Sequence, residues 1–194
     1  MSNRELLLIA ARELFLEQGY DASVDAIIVR AGVARQTFYN HFKNKENLFA
    51  EIVLNCFLDV LAPLNDDSDN LRSNLLNFAG IYRQRVLNPD GIAAYRILSG
   101  QAQRFPELVR EVYMQGAGQT IERLADFLRI AMEEEHIRHA EPVFAAELLM
   151  AMLVGQERSQ LLFGVQRSQE NEALKIAMVV DGFLQMFAPE QNNT

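Results

Sequence analysis

Two neighbouring side chains, Arg35 and Gln36, can each form a pair of hydrogen bonds to the edge of a DNA base. The methyl group of Thr37, which follows them, can contact the methyl group of thymine. Asn40 lies one helical turn after Gln36, so the four side chains share one polar surface if this stretch is helical. Such a surface predicts direct contacts to bases in double-stranded DNA.

Side chains that suit phosphate oxygens lie around this polar surface. They are Tyr39, His41 and Lys45. Lys45 also falls in the first turn of the next predicted helix, where free backbone N–H groups favour an anion. Ser23 and Val24, at the start of the preceding helix, complete the predicted set of DNA-binding residues.

The sequence around Gly32 predicts a helix-turn-helix that would hold these residues in place. The helix before the turn has one apolar face, formed by Val24, Ile27, Ile28 and Ala31. Gly32 can adopt the backbone angles of a tight turn, and Val33 then fills the core. The helix after the turn buries Phe38 and Phe42, which lie four residues apart.

The whole chain is predicted to be helical, so the expected fold class is all-α. Prolines and glycines number 5 and 10 and fall mostly between segments. No run alternates between apolar and polar residues with the period of a strand. The predicted helices span 3–18, 35–42, 45–61, 71–87, 92–103, 106–135, 142–163 and 169–187, with a further short helix between Ser23 and Gly32.

Length and composition limit the class of protein. The chain has 194 residues, 49% of them apolar, as expected for one large or two small globular domains. The one cysteine, Cys56, excludes an intramolecular disulfide. The first five residues do not resemble a signal peptide, and no apolar run reaches the ~18 residues of a membrane span. We therefore expect a cytoplasmic protein that does not associate with membranes.

Catalytic and metal-binding patterns are missing from the sequence. It contains no phosphate-binding glycine loop and no nucleophile elbow, so we expect neither an enzyme nor a cofactor. His136 and His139 have no third His or Cys near them, a pattern more typical of a solvated helix end than of a metal site. The acidic run 66–69 lacks the glycine and glutamate of a calcium loop and is expected to be a solvated linker.

The formal net charge of −8 argues at first against DNA binding, because phosphate contacts need Lys and Arg. The charge is unevenly distributed, however. Residues 1–55 contain six basic and seven acidic side chains, a net charge of −1, whereas residues 56–194 contain 12 and 19, a net charge of −7. The acidic excess therefore lies outside the predicted helix-turn-helix.

Three features of the first 50 residues occur at fixed offsets. They are the Gly32-Val33 turn, the aromatic-rich helix 37–42 and the Lys45-Glu46 start of the next helix. The same run carries Leu7, Ala11, Leu14, Phe15, Gly19, Tyr20, Ser23, Val24, Ala31, Ala34 and Leu48. This pattern resembles the N-terminal domain of the tetracycline-repressor (TetR) family of bacterial transcription regulators. The Arg-Phe-Pro-Glu-Leu run at 104–108 is similar to a junction found in a subgroup of that family.

Two residues depart from the pattern of this family. Ile28 stands where the family often has a small Ala, which should shift or repack a helix crossing. Ala34 stands where a Ser often caps the recognition helix, and the loss of such a cap typically costs ~1 kcal/mol. Both substitutions bear on how the helices dock on DNA, and neither removes a predicted contact.

The resemblance implies a homodimer that binds a palindromic operator, with one recognition helix in each half-site. It places the DNA-binding domain at 1–47 and a helical ligand-sensing and dimerisation domain at 48–194. In this family the last two long helices form a four-helix bundle with the partner. The segments 142–163 and 169–187 fit this arrangement because their apolar arcs are too wide for a monomer surface.

The resemblance also implies a repressor that a small molecule releases from DNA. The aromatic and methionine content of the second domain predicts an apolar or aromatic ligand. The predicted ligand-binding residues are Phe57, Leu61, Phe78, Tyr82, Tyr95, Leu98, Gln101, Met114, Gln119, Phe127 and Met150. Three alternatives remain open: a transcriptional activator, a regulator that answers a protein partner, and a helical ligand-binding or scaffold protein whose DNA-binding module has lapsed.

Overall fold

A computed structural model of the chain describes residues 1–57, 59–65, 70–166 and 170–189, and within these ranges every regular element is helical. The expected all-α fold class is therefore confirmed. The α-helices are α1 (Asn3–Gln18), α2 (Val24–Ala31), α3 (Arg35–His41), α4 (Lys45–Leu54), α5 (Leu71–Leu87), α6 (Pro89–Gln101), α7 (Pro106–Tyr113), α8 (Gln119–Glu133), α9 (Pro142–Leu162) and α10 (Glu172–Met186).

The chain divides into two compact units. The first unit comprises Met1–Cys56 and Pro89–Gly116, and the second comprises Phe57–Asn88 and Ala117–Thr194. The first unit thus contains α1 to α4 together with α6 and α7, and the second contains α5 and α8 to α10. The division into domains 1–47 and 48–194 stays a prediction, and the compact first unit also takes in 28 residues, 89–116, from the predicted sensing domain.

The ends of the first helices are set by capping residues. Ser2 and Glu5 form a capping box at the start of α1, and Gly19 ends that helix with a φ of 68°. The Ser23 hydroxyl accepts a hydrogen bond from the Ala26 N–H at 3.1 Å and begins α2. Gly32 ends α2 in the left-handed conformation, with a φ of 66°, as the turn requires.

The core of the first unit is shared between the helix-turn-helix and the later helices. Leu7, Phe38 and Leu48 are fully buried in it. Ala94 of α6 and Val112 of α7 belong to the same core. Because residues so distant in sequence share one core, α6 and α7 are part of the structure that supports the helix-turn-helix.

Three helix predictions need correction. The predicted helix 45–61 ends at Leu54 in α4 and is followed by a 3-10 turn, Asn55–Phe57. Asp59 has a left-handed φ of 62°, which an α-helix cannot include. The predicted helix 106–135 is interrupted by a π-helical stretch, Met114–Gly118, where the two glycines weaken regular helix. Within α9, Gly155 is non-helical.

Other predictions fall partly outside the described residues. The described residues do not include the predicted acidic linker 66–69, the first residue of the predicted helix 169–187 or most of the predicted polar tail. No helix among the described residues is long and apolar enough to cross a membrane.

A buried arginine joins three helices of the second unit. Arg83 of α5 is 4% exposed and donates to Glu157 of α9 and Glu172 of α10, each at 2.8 Å. Its guanidinium also donates to the Leu153 carbonyl, close to the break at Gly155. Burial alone would lower the pKa of Arg83, but the hydrogen bonds and negative charges of the two glutamates more than offset it, so the pKa is raised.

We predict that the Glu157→Gln, Glu172→Gln double variant loses about 3–5 kcal/mol of unfolding free energy, because it leaves the Arg83 charge buried without a counter-charge. Urea unfolding followed by circular dichroism measures this loss. Asp181→Asn is the matched control, since Asp181 pairs with Arg72 at an exposed position and such pairs contribute little. A double variant as stable as this control would contradict the account.

Candidate nucleic-acid interface

Helix α3 presents the predicted base-reading residues to solvent. Arg35, Gln36 and Asn40 are exposed, and Thr37 is half-buried. The opposite face carries Phe38, which is fully buried. Burial of one face therefore orients the polar face outward, as the sequence predicted.

All three of these exposed side chains have partners on the protein surface. Arg35 donates to Asp25 of α2 at 2.8 Å, and its guanidinium lies 6.0 Å from the centre of the Tyr39 ring. Gln36 donates to Asn40 at 3.1 Å. These contacts are at exposed positions and so are weak, which allows the side chains to exchange them for base edges.

The other predicted DNA-binding residues lie on α3 itself and at the starts of α2 and α4. Tyr39 and His41 are exposed on α3, and Ser23 and Val24 form the start of α2. The Asn44 side chain caps α4 by accepting a hydrogen bond from Asn47 N–H at 2.9 Å. In the first turns of α2 and α4, the backbone N–H groups that are not capped have no acceptor within their own helix. Such groups suit phosphate oxygens.

Lys45 has a more specific environment than the sequence indicated. Its ammonium donates to the carbonyls of Tyr20 at 2.8 Å and Ala22 at 3.4 Å. It also lies 4.2 Å from the centre of the Tyr20 ring. Lys45 therefore ties the start of α4 to the segment that leads into α2, while its own backbone N–H belongs to the first turn of α4.

Tyr20 is the centre of an aromatic cluster. Its ring lies 5.1 Å from Phe49, 5.5 Å from Phe105 and 6.2 Å from Phe15, between ring centres. Its hydroxyl donates to Glu46 at 3.3 Å. Burial, and then the negative charge and hydrogen bond of Glu46, raise the pKa of Tyr20 to about 12, so its ring stays neutral at physiological pH.

The two departures from the family pattern have visible consequences. Ile28 is 7% exposed and packs into the core, so the helix crossing accommodates its larger side chain. Ala34 supplies no side-chain cap to α3, as expected. The start of α3 is instead held by a backbone hydrogen bond from Thr37 to Ala34, at 2.9 Å.

Sequence reasoning missed Asp25, which pairs with Arg35, and Phe105, whose ring contacts the Tyr20 ring. The sequence predicts no DNA-binding role for Asp25, although its carboxylate holds Arg35. The contact between Phe105 and Tyr20 joins residues 85 positions apart, and no local pattern predicts it. The one available signal was the resemblance of the 104–108 run to a known junction.

The predicted ligand-binding residues are divided between the two units. The first unit contains Tyr95, Leu98, Gln101 and Met114, and the second contains Phe57, Leu61, Phe78, Tyr82, Gln119, Phe127 and Met150. Phe78 and Tyr82 are buried and stack, with ring centres 5.7 Å apart. Leu98 packs against the core of the first unit.

Gln101 differs from the other predicted ligand-binding residues. Its side-chain oxygen is buried and, in the part of the chain that the structure describes, accepts no hydrogen bond.

Within the described ranges, no group of three or more His, Cys, Asp or Glu side chains could hold a metal ion.

Two family models together match most of the chain. Residues 7–52 match the model described as bacterial regulatory proteins, tetR family. Residues 73–189 match the C-terminal domain of AefR-like transcriptional repressors.

Solved structures and curated relatives agree with this assignment. The flavonoid-responsive regulator FrrA is 30% identical over 97% of this chain and 98% of its own, with a TM-score of 0.76. A structure from Mesorhizobium loti MAFF303099, ascribed to the TetR family, has a TM-score of 0.83 at 24% identity, with 96% of each chain covered. The regulator QacR of Staphylococcus aureus is 41% identical over 54 residues, which are 27% of this chain and only 29% of QacR.

The likeness to QacR covers 54 residues, whereas the likeness to FrrA extends over nearly the whole chain. The chain therefore belongs to the tetR family of bacterial regulatory proteins, a family of DNA-binding transcriptional regulators rather than of enzymes.

Proposed function

We propose that the protein is a repressor that binds a palindromic operator as a homodimer and acts in the cytoplasm, where bacterial DNA lies. The observation that carries this proposal is the outward polar face of α3, held by a buried Phe38 on its other side. Arg35 and Gln36 read base edges, and Thr37 and Asn40 extend the same surface. The match of residues 73–189 to a repressor C-terminal domain supports repression over activation.

Phosphate contacts complete the proposed interface. Tyr39 and His41 on α3, and the first turns of α2 and α4 at Ser23, Val24 and Lys45, surround the base-reading residues. These residues lie on three helices, α2, α3 and α4. Their phosphate contacts together fix the position of α3 in the major groove.

Selection from a pool of random DNA duplexes tests this proposal, followed by gel shifts over a salt series. We expect a palindrome to be recovered, with half-site centres about 34 Å apart or a multiple of that distance. Affinity for it should fall steeply with salt, because phosphate contacts release counterions. If the protein recovers no preferred sequence even at low salt, and none from its own promoter region, the lapsed-module alternative is correct.

Single substitutions should separate base contacts from phosphate contacts. Gln36→Ala should relax the preference at one base position and cost about 1–3 kcal/mol of binding free energy. Tyr39→Ala should weaken binding to all sequences alike, because phosphates carry no sequence information. Affinities for every single-base variant of the operator measure both effects. An unchanged preference in Gln36→Ala would show that this division of roles is wrong.

An apolar stripe on α10 supports a homodimer through the last two long helices. Val180 and Phe183 are buried in the second unit. Leu174 and Met178, four residues apart on the same helix, are 57% and 67% exposed. On α9, Phe144 is 57% exposed. Large apolar side chains in a row on a helix surface are typical of an interface with another chain.

Sedimentation of the protein at micromolar concentration should therefore show a dimer. The Leu174→Glu, Met178→Glu double variant should sediment as a monomer, because it places charges in the proposed interface. Ile130→Glu is the matched control, since Ile130 is an exposed apolar residue on α8 of the same unit and should leave the dimer intact. A monomeric wild-type protein would contradict the proposal.

We also propose that a small apolar or aromatic ligand releases the repressor. In the second unit, the stacked Phe78 and Tyr82 offer flat apolar surfaces. The similarity to FrrA, a flavonoid-responsive regulator, supports an aromatic ligand. To release DNA, the ligand must have a higher affinity for the conformation that does not bind DNA than for the one that does. Shifting the ratio of the two conformations from 99:1 to 1:99 requires a difference of roughly 5.5 kcal/mol.

A further inference from the structure

Phe105 lies in the short turn between α6 and α7, within the segment 89–116 that belongs to the first unit together with the helix-turn-helix. Its ring contacts the Tyr20 ring, with centres 5.5 Å apart. Next to it, Arg104 lies over the Phe105 ring at 5.1 Å and pairs with Asp21 at 3.8 Å. The turn therefore contacts two adjacent residues of the Gly19–Asp21 segment.

The Gly19–Asp21 segment connects directly to the proposed DNA interface. The Tyr20 carbonyl and the Tyr20 ring both hold the Lys45 ammonium, at the first turn of α4. The Ala22 carbonyl also holds it, one residue before the cap of α2 at Ser23. The Tyr20 ring is therefore in direct contact with the side chain that links the starts of α2 and α4, two helix starts that must match phosphates on the same duplex.

The α6–α7 turn is in turn fixed to Gln101. The Gln101 backbone carbonyl accepts hydrogen bonds from the N–H groups of Arg104 at 3.0 Å and Phe105 at 2.9 Å. The side-chain oxygen of the same residue is buried and accepts no hydrogen bond within the described ranges. A donor that engaged this oxygen would act on the residue that holds the turn.

We propose that Phe105 is a positioning residue for DNA binding, which acts through Tyr20 and Lys45 although it lies outside the helix-turn-helix. This inference rests on the proposed function. It assigns to the α6–α7 turn the role of setting operator affinity.

A double-mutant cycle between Phe105→Leu and Lys45→Met tests the proposal, with the duplex that the wild-type protein selects as the probe. Each single variant is expected to weaken binding about fivefold to tenfold, roughly 1–1.4 kcal/mol. Because both act through one contact, the double variant should bind no more weakly than Lys45→Met alone. Phe105→Tyr keeps the ring and should restore wild-type affinity.

Two controls separate this role from a general loss of structure. Phe105→Leu combined with Gln36→Ala should weaken binding by the product of the single effects, since Gln36 contacts a base independently. Tyr113→Ala, an exposed aromatic residue of α7, should bind like the wild type. Thermal melts confirm that each variant is folded at the assay temperature. If Phe105→Leu does not fold, Arg104→Ala, at an exposed position, should show the same non-additivity with Lys45→Met as a smaller effect.

If the double variant Phe105→Leu, Lys45→Met weakens DNA binding by the product of the two single effects, the inference is overturned. Unchanged affinity in Phe105→Leu would also overturn it. Failure of the wild-type protein to select any duplex would overturn the proposed function instead, and the wild-type measurement alone reveals it. The two failures are thus distinguishable.

Discussion

The proposed DNA interface depends on how the Lys45 ammonium is held. The ammonium contacts two backbone carbonyls and the face of one aromatic ring, all of which belong to residues 20–22. These contacts hold the Lys45 side chain against residues 20–22, next to the Tyr20 hydroxyl, which donates to Glu46. The start of α4, the start of α2 and the aromatic core are thereby joined at one point.

The distribution of charge is consistent with this arrangement. The acidic excess lies in residues 56–194, and residues 1–55 are close to neutral. Within the first unit, several carboxylates near α2 and α3 are paired, as Asp25 is with Arg35 and Glu17 with Arg30. A neutral surface with a few placed cations favours an operator over unspecific DNA, because weak general attraction leaves more of the affinity to base contacts.

Local signals predicted the helix-turn-helix well. The bounds of α1, the cap at Ser23 and the turn at Gly32 follow from apolar spacing, a hydroxyl and a glycine, each of which acts over a few residues. The same reasoning failed after α4 and at Gly155, because Asp59 and Gly155 adopt positive φ angles within segments whose apolar spacing is helical. Local sequence patterns could not predict the long-range contacts. The contact of Phe105 with Tyr20 and the burial of Arg83 between two glutamates depend on which helices pack together.

The contact of Phe105 with Tyr20, and the core shared with Ala94 and Val112, place α6 and α7 in the first unit. A boundary drawn after the helix-turn-helix separates Phe105 from the ring that it supports, whereas the compact unit keeps the two together. The central claim is therefore that residues 89–116 help to shape the DNA-binding surface and are more than a connection to the second unit.

Amide hydrogen exchange in the DNA-free protein tests this claim most directly, by comparing wild type with Phe105→Leu. The account predicts faster exchange at both 19–26 and 44–49 in the variant, with 71–87 unchanged, because loss of the Phe105 ring frees Tyr20 and with it Lys45. Unchanged protection in those two segments, or an equal loss throughout the first unit, would contradict it.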